Sequence, residues 1–378
     1  MKSERSFKIL LVGGGTGGHF YPLIAIAEAL RAVPDAPALY YAGPDMYDAD
    51  ALKASDISFV HIAAGKVRRY ASIRNFFDVF VSFFGLVSAV FKLYYIYPDA
   101  VMSKGGYTSV PVVLAAAFLR IPIVVHESDA VVGRANKLGG AFARYFVTAY
   151  EGVQIKNKVE QYLLGIPVRH ELLAPPRADA ITELGIDPER PVLLVLGGSQ
   201  GAERVNNLIL DSLDELLRDF TVIHQTGVKH HTACVQTADK LIQDIHMRKH
   251  YHPMPTLAPA ALNDAYHLAA LVVARAGSGT IHETALYGKP AILIPIPGTV
   301  SHDQRTNAYA YARTGAASVI EEENLTDGLL RAEIDRIMLN QELYASMSAA
   351  AQGFARRDAS ENIAKLLMGI AYEHNKTK

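Results

Sequence analysis

Two glycine-rich runs, each preceded by a short apolar stretch, are where this sequence is best placed to do chemistry. Gly13-Gly14-Gly15-Thr16-Gly17-Gly18-His19 follows Ile9-Leu10-Leu11-Val12, and Gly197-Gly198-Ser199-Gln200-Gly201-Ala202 follows Val192-Leu193-Leu194-Val195-Leu196. A strand, a glycine turn and a helix in that order aim backbone N–H groups at whatever lies before the helix, commonly a phosphate. Gly13, Gly15 and Gly18 match G-x-G-x-x-G, but a nicotinamide site also needs an acid at the end of the second strand. Tyr40-Tyr41-Ala42-Gly43-Pro44 has none there. No Walker-type lysine is present, which argues against an ATPase. The second run, with the Ser199 hydroxyl and Gln200, reads as a metal-free pyrophosphate cradle or as a tight strand–helix turn.

His19 falls on the first turn of the helix that follows the first run. The positive helix end favours neutral imidazole, which suits a general base; a histidine that only caps the loop is the alternative. A third run, Ala274-Arg275-Ala276-Gly277-Ser278-Gly279-Thr280-Ile281-His282-Glu283, ends a strand and opens a helix with Thr280 and Glu283 on its first turn. A carboxylate there can accept both hydroxyls of a ribose, or it can serve its own helix as a capping box. His302-Asp303-Gln304-Arg305-Thr306-Asn307-Ala308 could bind sugar hydroxyls or be an exposed loop. His126-Glu127-Ser128-Asp129, with Gly133 and Asn136 after it, ends another strand, where open α/β sheets bind ligands. Buried acids there could orient His19 or a hydroxyl, or form a structural network. The histidines at 224, 230, 231, 246, 250 and 252 lack helical i, i+4 pairing beside an acid, so they read as surface residues rather than a metal site. Glu321-Glu322-Glu323 reads as a solvated turn.

These residues must be positioned by an α/β framework. Ile9–Val12, Ala38–Tyr41, Ala100–Met102, Ile123–His126 and Tyr145–Thr148 read as buried strands, alternating with helical stretches such as Pro22–Ala32 and Pro111–Arg120. The pattern restarts with Val192–Leu196, Thr221–Gln225, Leu271–Ala274 and Ala291–Ile294. Two Rossmann-like domains facing one another across a cleft are expected, joined near the proline-punctuated stretch 165–190. Residues 1–164 would form the first and 165–354 the second, with a C-terminal helix of about 355–378 packing back on the first; the stretch Ala349–Tyr372 reads as one helix. The length of 378 residues suits two domains. A net charge of −1 gives no global reason to expect nucleic acid. One cysteine, Cys234, fits a reducing compartment. The opening residues read as a strand, not a signal peptide. The charge-free stretch from Val79 to Phe91 falls short of a membrane span. Ile73 to Tyr97 is apolar all round, however, and carries Phe76, Phe77, Phe80, Phe83, Phe84 and Phe91 beside the basic Lys66-Val67-Arg68-Arg69-Tyr70 and Arg74. That suits an anionic membrane surface, or else a buried core helix.

Taken in order, these blocks resemble the MurG family of UDP-N-acetylglucosamine transferases. The resemblance rests on Gly13–His19 with Pro22, Gly105-Gly106-Tyr107 before Pro111, His126–Asp129 with Gly133 and Asn136-Lys137, Gly165–Arg169, Gly197–Ala202 with Asn206, Arg275–Glu283, and Gln304 with Asn307-Ala308. It implies the GT-B fold, UDP-GlcNAc on the C-terminal domain and lipid I, undecaprenyl-pyrophosphoryl-MurNAc-pentapeptide, on the N-terminal domain. By position, Glu283 would hold the ribose, Ser199 the phosphates and Gln304 the sugar, with Gln200 and Asp303 as further candidates for binding substrate. Arg275, Ser278, Gly279 and Thr280 would complete the donor site. Thr16, His19 and Tyr107 would face the acceptor, Asn136 and Arg169 would line the cleft, and Gly17, Gly18 and Asp129 are further candidates for binding substrate. The usual His-Glu-Gln-Asn of the family is here His126-Glu127-Ser128-Asp129, and Ile166 replaces an asparagine.

The resemblance implies an inverting transfer without metal or cofactor, at the cytoplasmic face of a membrane, as part of peptidoglycan synthesis. His19 is the first candidate for the base and Glu127 the second, as base or orienter. Another GT-B transferase acting on a lipid, a UDP-GlcNAc 2-epimerase, or a binding module without turnover are the alternatives.

Overall fold

The computed structural model describes residues 7–66, 73–155, 159–198, 201–298 and 304–376; for 73–77 and 375–376 only the backbone is described. The chain forms two compact units: Met1–His170 with Arg356–Lys378, and Glu171–Ala355. The stretch 165–170 therefore goes with the first unit, not the second. It is tied there by the Gly165 carbonyl to His126, by Val168 to Ser360 and by the His170 amide to Glu28.

The first unit is built on β1 (Lys8–Val12), β2 (Ala38–Gly43), β3 (Ile57–His61), β4 (Ala100–Ser103), β5 (Ile123–Glu127), β6 (Tyr145–Thr148) and β7 (Glu160–Leu163). Their order across the sheet is β3-β2-β1-β4-β5-β6-β7, and every pairing is parallel. Alternate residues feed opposite cores. Ile9 and Leu11 join the cluster under the Gly17–Arg31 helix, while Leu10 and Val12 join the one on the other face. A strand covered on both faces must be apolar throughout, which is why it reads as a continuous run. The second unit repeats the plan with β8 (Val192–Leu196), β9 (Thr221–Gln225), β10 (Tyr251–Met254), β11 (Ala269–Ala274), β12 (Ala291–Leu293) and β13 (Ala317–Val319), in the order β10-β9-β8-β11-β12-β13. Leu193 and Val195 face one core, Val192, Leu194 and Leu196 the other.

In both sheets the connection reverses direction after the third strand, between β1 and β4 and between β8 and β11. The crevice beyond the carboxyl ends of these paired strands is where ligands bind in open α/β sheets. The loops that leave those four strands begin at Gly13, Lys104, Gly197 and Arg275.

The C-terminal stretch is two helices rather than one. Gln341–Phe354 packs in the second unit, Ala355 leaves helical geometry with ψ 140°, and Ala359–Lys376 packs on the first. The Ile73–Ile96 helix also departs from expectation. Its window Asp78–Ile96 is long and apolar enough by length and composition to cross a membrane, once Asp78 and Lys92 are tolerated within it. One stripe is nevertheless docked: Ala89 and Leu93 are buried in the first unit, and Lys92 donates to the His61 carbonyl. The opposite stripe leaves Phe84 67% and Phe91 71% exposed.

Candidate active site

In the first unit, Thr16 is the N-cap of the Gly17–Arg31 helix, and the backbone of His19 and Phe20 donates to its carbonyl. Its side chain caps no backbone group; instead Oγ1 lies 2.9 Å from His19 Nδ1. If Nδ1–H donates to Oγ1, the other ring nitrogen, Nε2, is left as a lone-pair acceptor, the form a general base needs. The ring lies against Gly106, where a Cβ would sit 3.6 Å from Nδ1. Gly106 and its neighbour Gly105 have φ of +78° and +85°, a region that only glycine enters cheaply. Tyr107 covers the other wall, with a Cβ at Gly15 falling 3.0 Å from its ring.

The His126–Asp129 turn completes this end of the sheet. Glu127 is buried, and its carboxylate accepts from Asp129 N at 3.0 Å, Gly133 N at 2.8 Å and Asn136 Nδ2 at 2.9 Å. Burial raises its pKa while those three donors pull it down. A carboxylate used this way staples its own loop, so the geometry favours orienter over base for Glu127. Asn136 is held by Glu127 and the His126 carbonyl, yet its buried Oδ1 finds no partner among the described residues; neither does Thr108 Oγ1 beside Gly14. Two unpaired buried oxygens against glycine walls suit a ligand that donates hydrogen bonds. Asp129 is exposed, and the Arg169 guanidinium lies 4.6 Å from the ring centre of Tyr21 on the same helix as His19.

In the second unit, the helix Ser278–Leu286 starts after Gly277, so Thr280 lies on its first turn and Glu283 on its second. That corrects the expectation for Glu283 and removes the capping box, since the N-cap is Gly277. The Glu283 carboxylate is held instead by the buried Tyr266, whose hydroxyl donates at 3.3 Å and whose ring stacks on Tyr287 at 4.7 Å. Among the described residues, none comes within 4 Å of a Cβ built at Gly279, so their packing does not account for its lack of a side chain. Gln304 accepts from Ile296 N through Oε1, at 3.2 Å, and its backbone N–H donates back to the Ile296 carbonyl. Its Nε2 is thereby turned toward Gly277, 3.8 Å from a Cβ there, as a donor beside the helix N-terminus. Arg275 bonds the Ile294 carbonyl and pairs with Glu322 at 2.5 Å, so its guanidinium anchors the loop. Ser278 is buried at the first helical position. Ser199, Gln200 and Asp303, like Val67–Tyr70 and the side chains of Arg74, Phe76 and Phe77, lie outside the described residues.

Two sequence readings are corrected here. Glu322 is mostly buried between Arg275 and Arg204, and Glu321 accepts from Tyr309, so the Glu321–Glu323 turn is anchored rather than solvated. His224 and His250 are buried, not on the surface. His224 bonds Asn206 and Tyr251, and burial pulls its pKa down to about 3, so it is a neutral part of the core. Sequence reasoning also passed over Lys104 and Tyr266. The first has a local signal, a lysine between a strand and a Gly-Gly pair; the second has none, because only the fold brings it to Glu283.

Residues 9–148 match the N-terminal domain of glycosyltransferase family 28, and residues 192–363 match its C-terminal domain. The chain is similar to UDP-N-acetylglucosamine–N-acetylmuramyl-(pentapeptide) pyrophosphoryl-undecaprenol N-acetylglucosamine transferase 2 of Bacillus anthracis, at 34% identity over 89% of this chain and 93% of that one. The transferase of the corresponding name from Treponema pallidum is 33% identical over 97% and 94%. Among solved structures, MurG of Acinetobacter baumannii superposes with a TM-score of 0.76 at 25% identity, over 96% of this chain and 99% of that one. A UDP-GlcNAc 2-epimerase from Neisseria meningitidis reaches 0.67 at 14% identity, over 96% and 100%, a likeness of fold alone. The two parallel sheets are those of the GT-B glycosyltransferase fold.

Proposed function

The chain belongs to glycosyltransferase family 28, in its MurG group, and on that footing we propose that it transfers N-acetylglucosamine from UDP-GlcNAc to the MurNAc 4-hydroxyl of lipid I, giving lipid II in peptidoglycan synthesis. The observation that carries this reading is kinship with named transferases along most of both chains.

The first unit takes the acceptor and the second the donor. His19, with Nδ1–H on Thr16, removes the proton from the 4-hydroxyl. The freed oxygen attacks the anomeric carbon as the bond to UDP breaks, and the configuration inverts. Glu283, steadied by Tyr266, accepts the ribose hydroxyls. The N-terminus of the Ser278–Leu286 helix, with Ser278, Gly279 and Thr280, stabilises the departing diphosphate. Ser199 and Gln200 serve that same diphosphate, and Gln304 with Asp303 serves the sugar. Gly17, Gly18, Tyr107, Asn136, Asp129 and Arg169 surround the acceptor; Arg275 holds its loop, and Glu127 holds the turn that carries Asp129. The exposed aromatic stripe of the Ile73–Ile96 helix rests on the anionic cytoplasmic face of a membrane, where the lipid is found.

The test is UDP release from UDP-GlcNAc with and without a short-chain lipid I analogue, in EDTA. Release that requires the analogue is the expected result. No release with the analogue, while UDP-GlcNAc still binds, would sink the acceptor assignment; release only after Mg²⁺ is restored would sink the metal-free mechanism.

A further inference from the structure

Lys104 follows β4 and is 1% exposed, a place lysine takes only when paired. Its Nζ lies 2.8 Å from His126 Nδ1 and also bonds Ser128 Oγ. His126 Nε2 is 2.7 Å from the Gly165 carbonyl. A carbonyl can only accept, so Nε2 carries the hydrogen and Nδ1 must accept from Lys104. The side chain has little room to move. A Cβ at Gly13 would fall 2.6 Å from its own Cβ, and the next residue, Gly105, lies against Asn136, where a Cβ would meet Oδ1 at 2.6 Å.

We propose that Lys104 is a positioning residue for the acceptor: its ammonium ties the Gly105–Tyr107 turn to the Ser128–Asp129 turn and so holds Tyr107, Asn136 and Asp129 in one arrangement. The proposal rests on the transferase reading. Among the described residues, the titratable groups facing Lys104 are His126 and Glu127 on β5 and Asp129 after it. The loop after β1 meets it with the backbone of Gly13, the Gly17–Arg31 helix places His19 against Gly106, the residue after next, and the Arg134–Gly140 helix offers the neutral Asn136. Burial draws the lysine's pKa down to about 7, against the upward pull of Glu127 and Asp129. The charge that holds the two turns is therefore lost as pH rises through neutrality.

The experiment measures acceptor kcat/KM at saturating UDP-GlcNAc from pH 6 to 9, for the wild type, Lys104→Met, Ser128→Ala and the double variant, with Tm as a fold check. In the wild type, acceptor kcat/KM should fall above pH 7. Lys104→Met should raise the acceptor KM about tenfold, the size of one lost charged hydrogen bond, leave the donor KM alone and abolish that descending limb. The Ser128→Ala effect should shrink in the Lys104→Met background, because the two share one interaction. A wild-type profile flat above pH 7, which needs no variant to fold, overturns the proposal, as does an unchanged acceptor KM in Lys104→Met. A wild type that releases no UDP with the analogue overturns the transferase reading and this proposal with it.

Discussion

At the scale of single residues, His19 and Glu127 are both candidates for the base in the sequence, but their surroundings separate them. His19 is half-buried at a helix N-terminus with one ring nitrogen on Thr16. Its replacement by alanine should lower kcat by about 10²–10⁴, with Tm nearly unchanged, in the UDP-release assay. Thr16→Val should lower kcat less, since it removes only the hydroxyl beside Nδ1. Glu127 holds three N–H donors on two oxygens, and glutamine offers them only one oxygen. Glu127→Gln should therefore cost roughly 1–3 kcal/mol and show first as a lower Tm; lost turnover at full Tm would return Glu127 to the role of base. Lys104 adds a pH signature to stability. With a folded pKa of about 7 against an ordinary 10.5, the unfolded chain holds more protons between those values. Stability should therefore rise with pH across that window and be lowest below it. In Lys104→Met the difference between denaturation midpoints at pH 6.5 and 9 should shrink.

At the scale of elements, the central strands were legible and the edges were not. β3, β7, β10 and β13, the four strands missing from the sequence reading, are the four sheet edges. An edge strand has one neighbour and less cover, so it needs no unbroken apolar run; β7 reads Glu-Gln-Tyr-Leu, and β10 contains Pro253. The Ile73–Ile96 helix was legible as apolar, but not in which stripe is docked. Phe84→Glu with Phe91→Glu should leave Tm nearly unchanged and abolish flotation with anionic vesicles. Leu93→Ala, on the buried stripe, should instead cost about 2–5 kcal/mol in denaturation. Loss of Tm in the double glutamate variant would make the exposed stripe part of the core.

At the scale of the whole molecule, each unit is a Rossmann-like sheet with its glycine loops at the switch point, and the first unit is discontinuous. Its last helix, Ala359–Lys376, buries Ile363, Ala364, Leu367, Met368, Ile370 and Ala371, several of them in the cluster that also holds Ile24 and Ala27 of the Gly17–Arg31 helix. At about 1.5–3 kcal/mol for each large apolar side chain, that helix supplies much of a domain's net stability. Deleting residues 356–378 should leave the first unit unfolded or aggregated, seen as loss of its calorimetric transition, even though the deletion removes no proposed site residue.

The sequence by itself determined the two strand–glycine–helix units, the family they belong to and the segments that carry His19, Glu127 and Glu283. Those signals are local, because tight turns need glycine and doubly covered strands need unbroken apolar runs. Tertiary structure alone decided what each side chain is free to do. Tyr266 reaches Glu283 across 17 residues, Lys104 reaches His126 across 22, and Arg275, after β11, reaches Glu322, after the edge strand β13. Such partners meet only when sheet order brings distant loops together, and which partner a polar group finds on burial decides whether it serves as base, anchor or orienter.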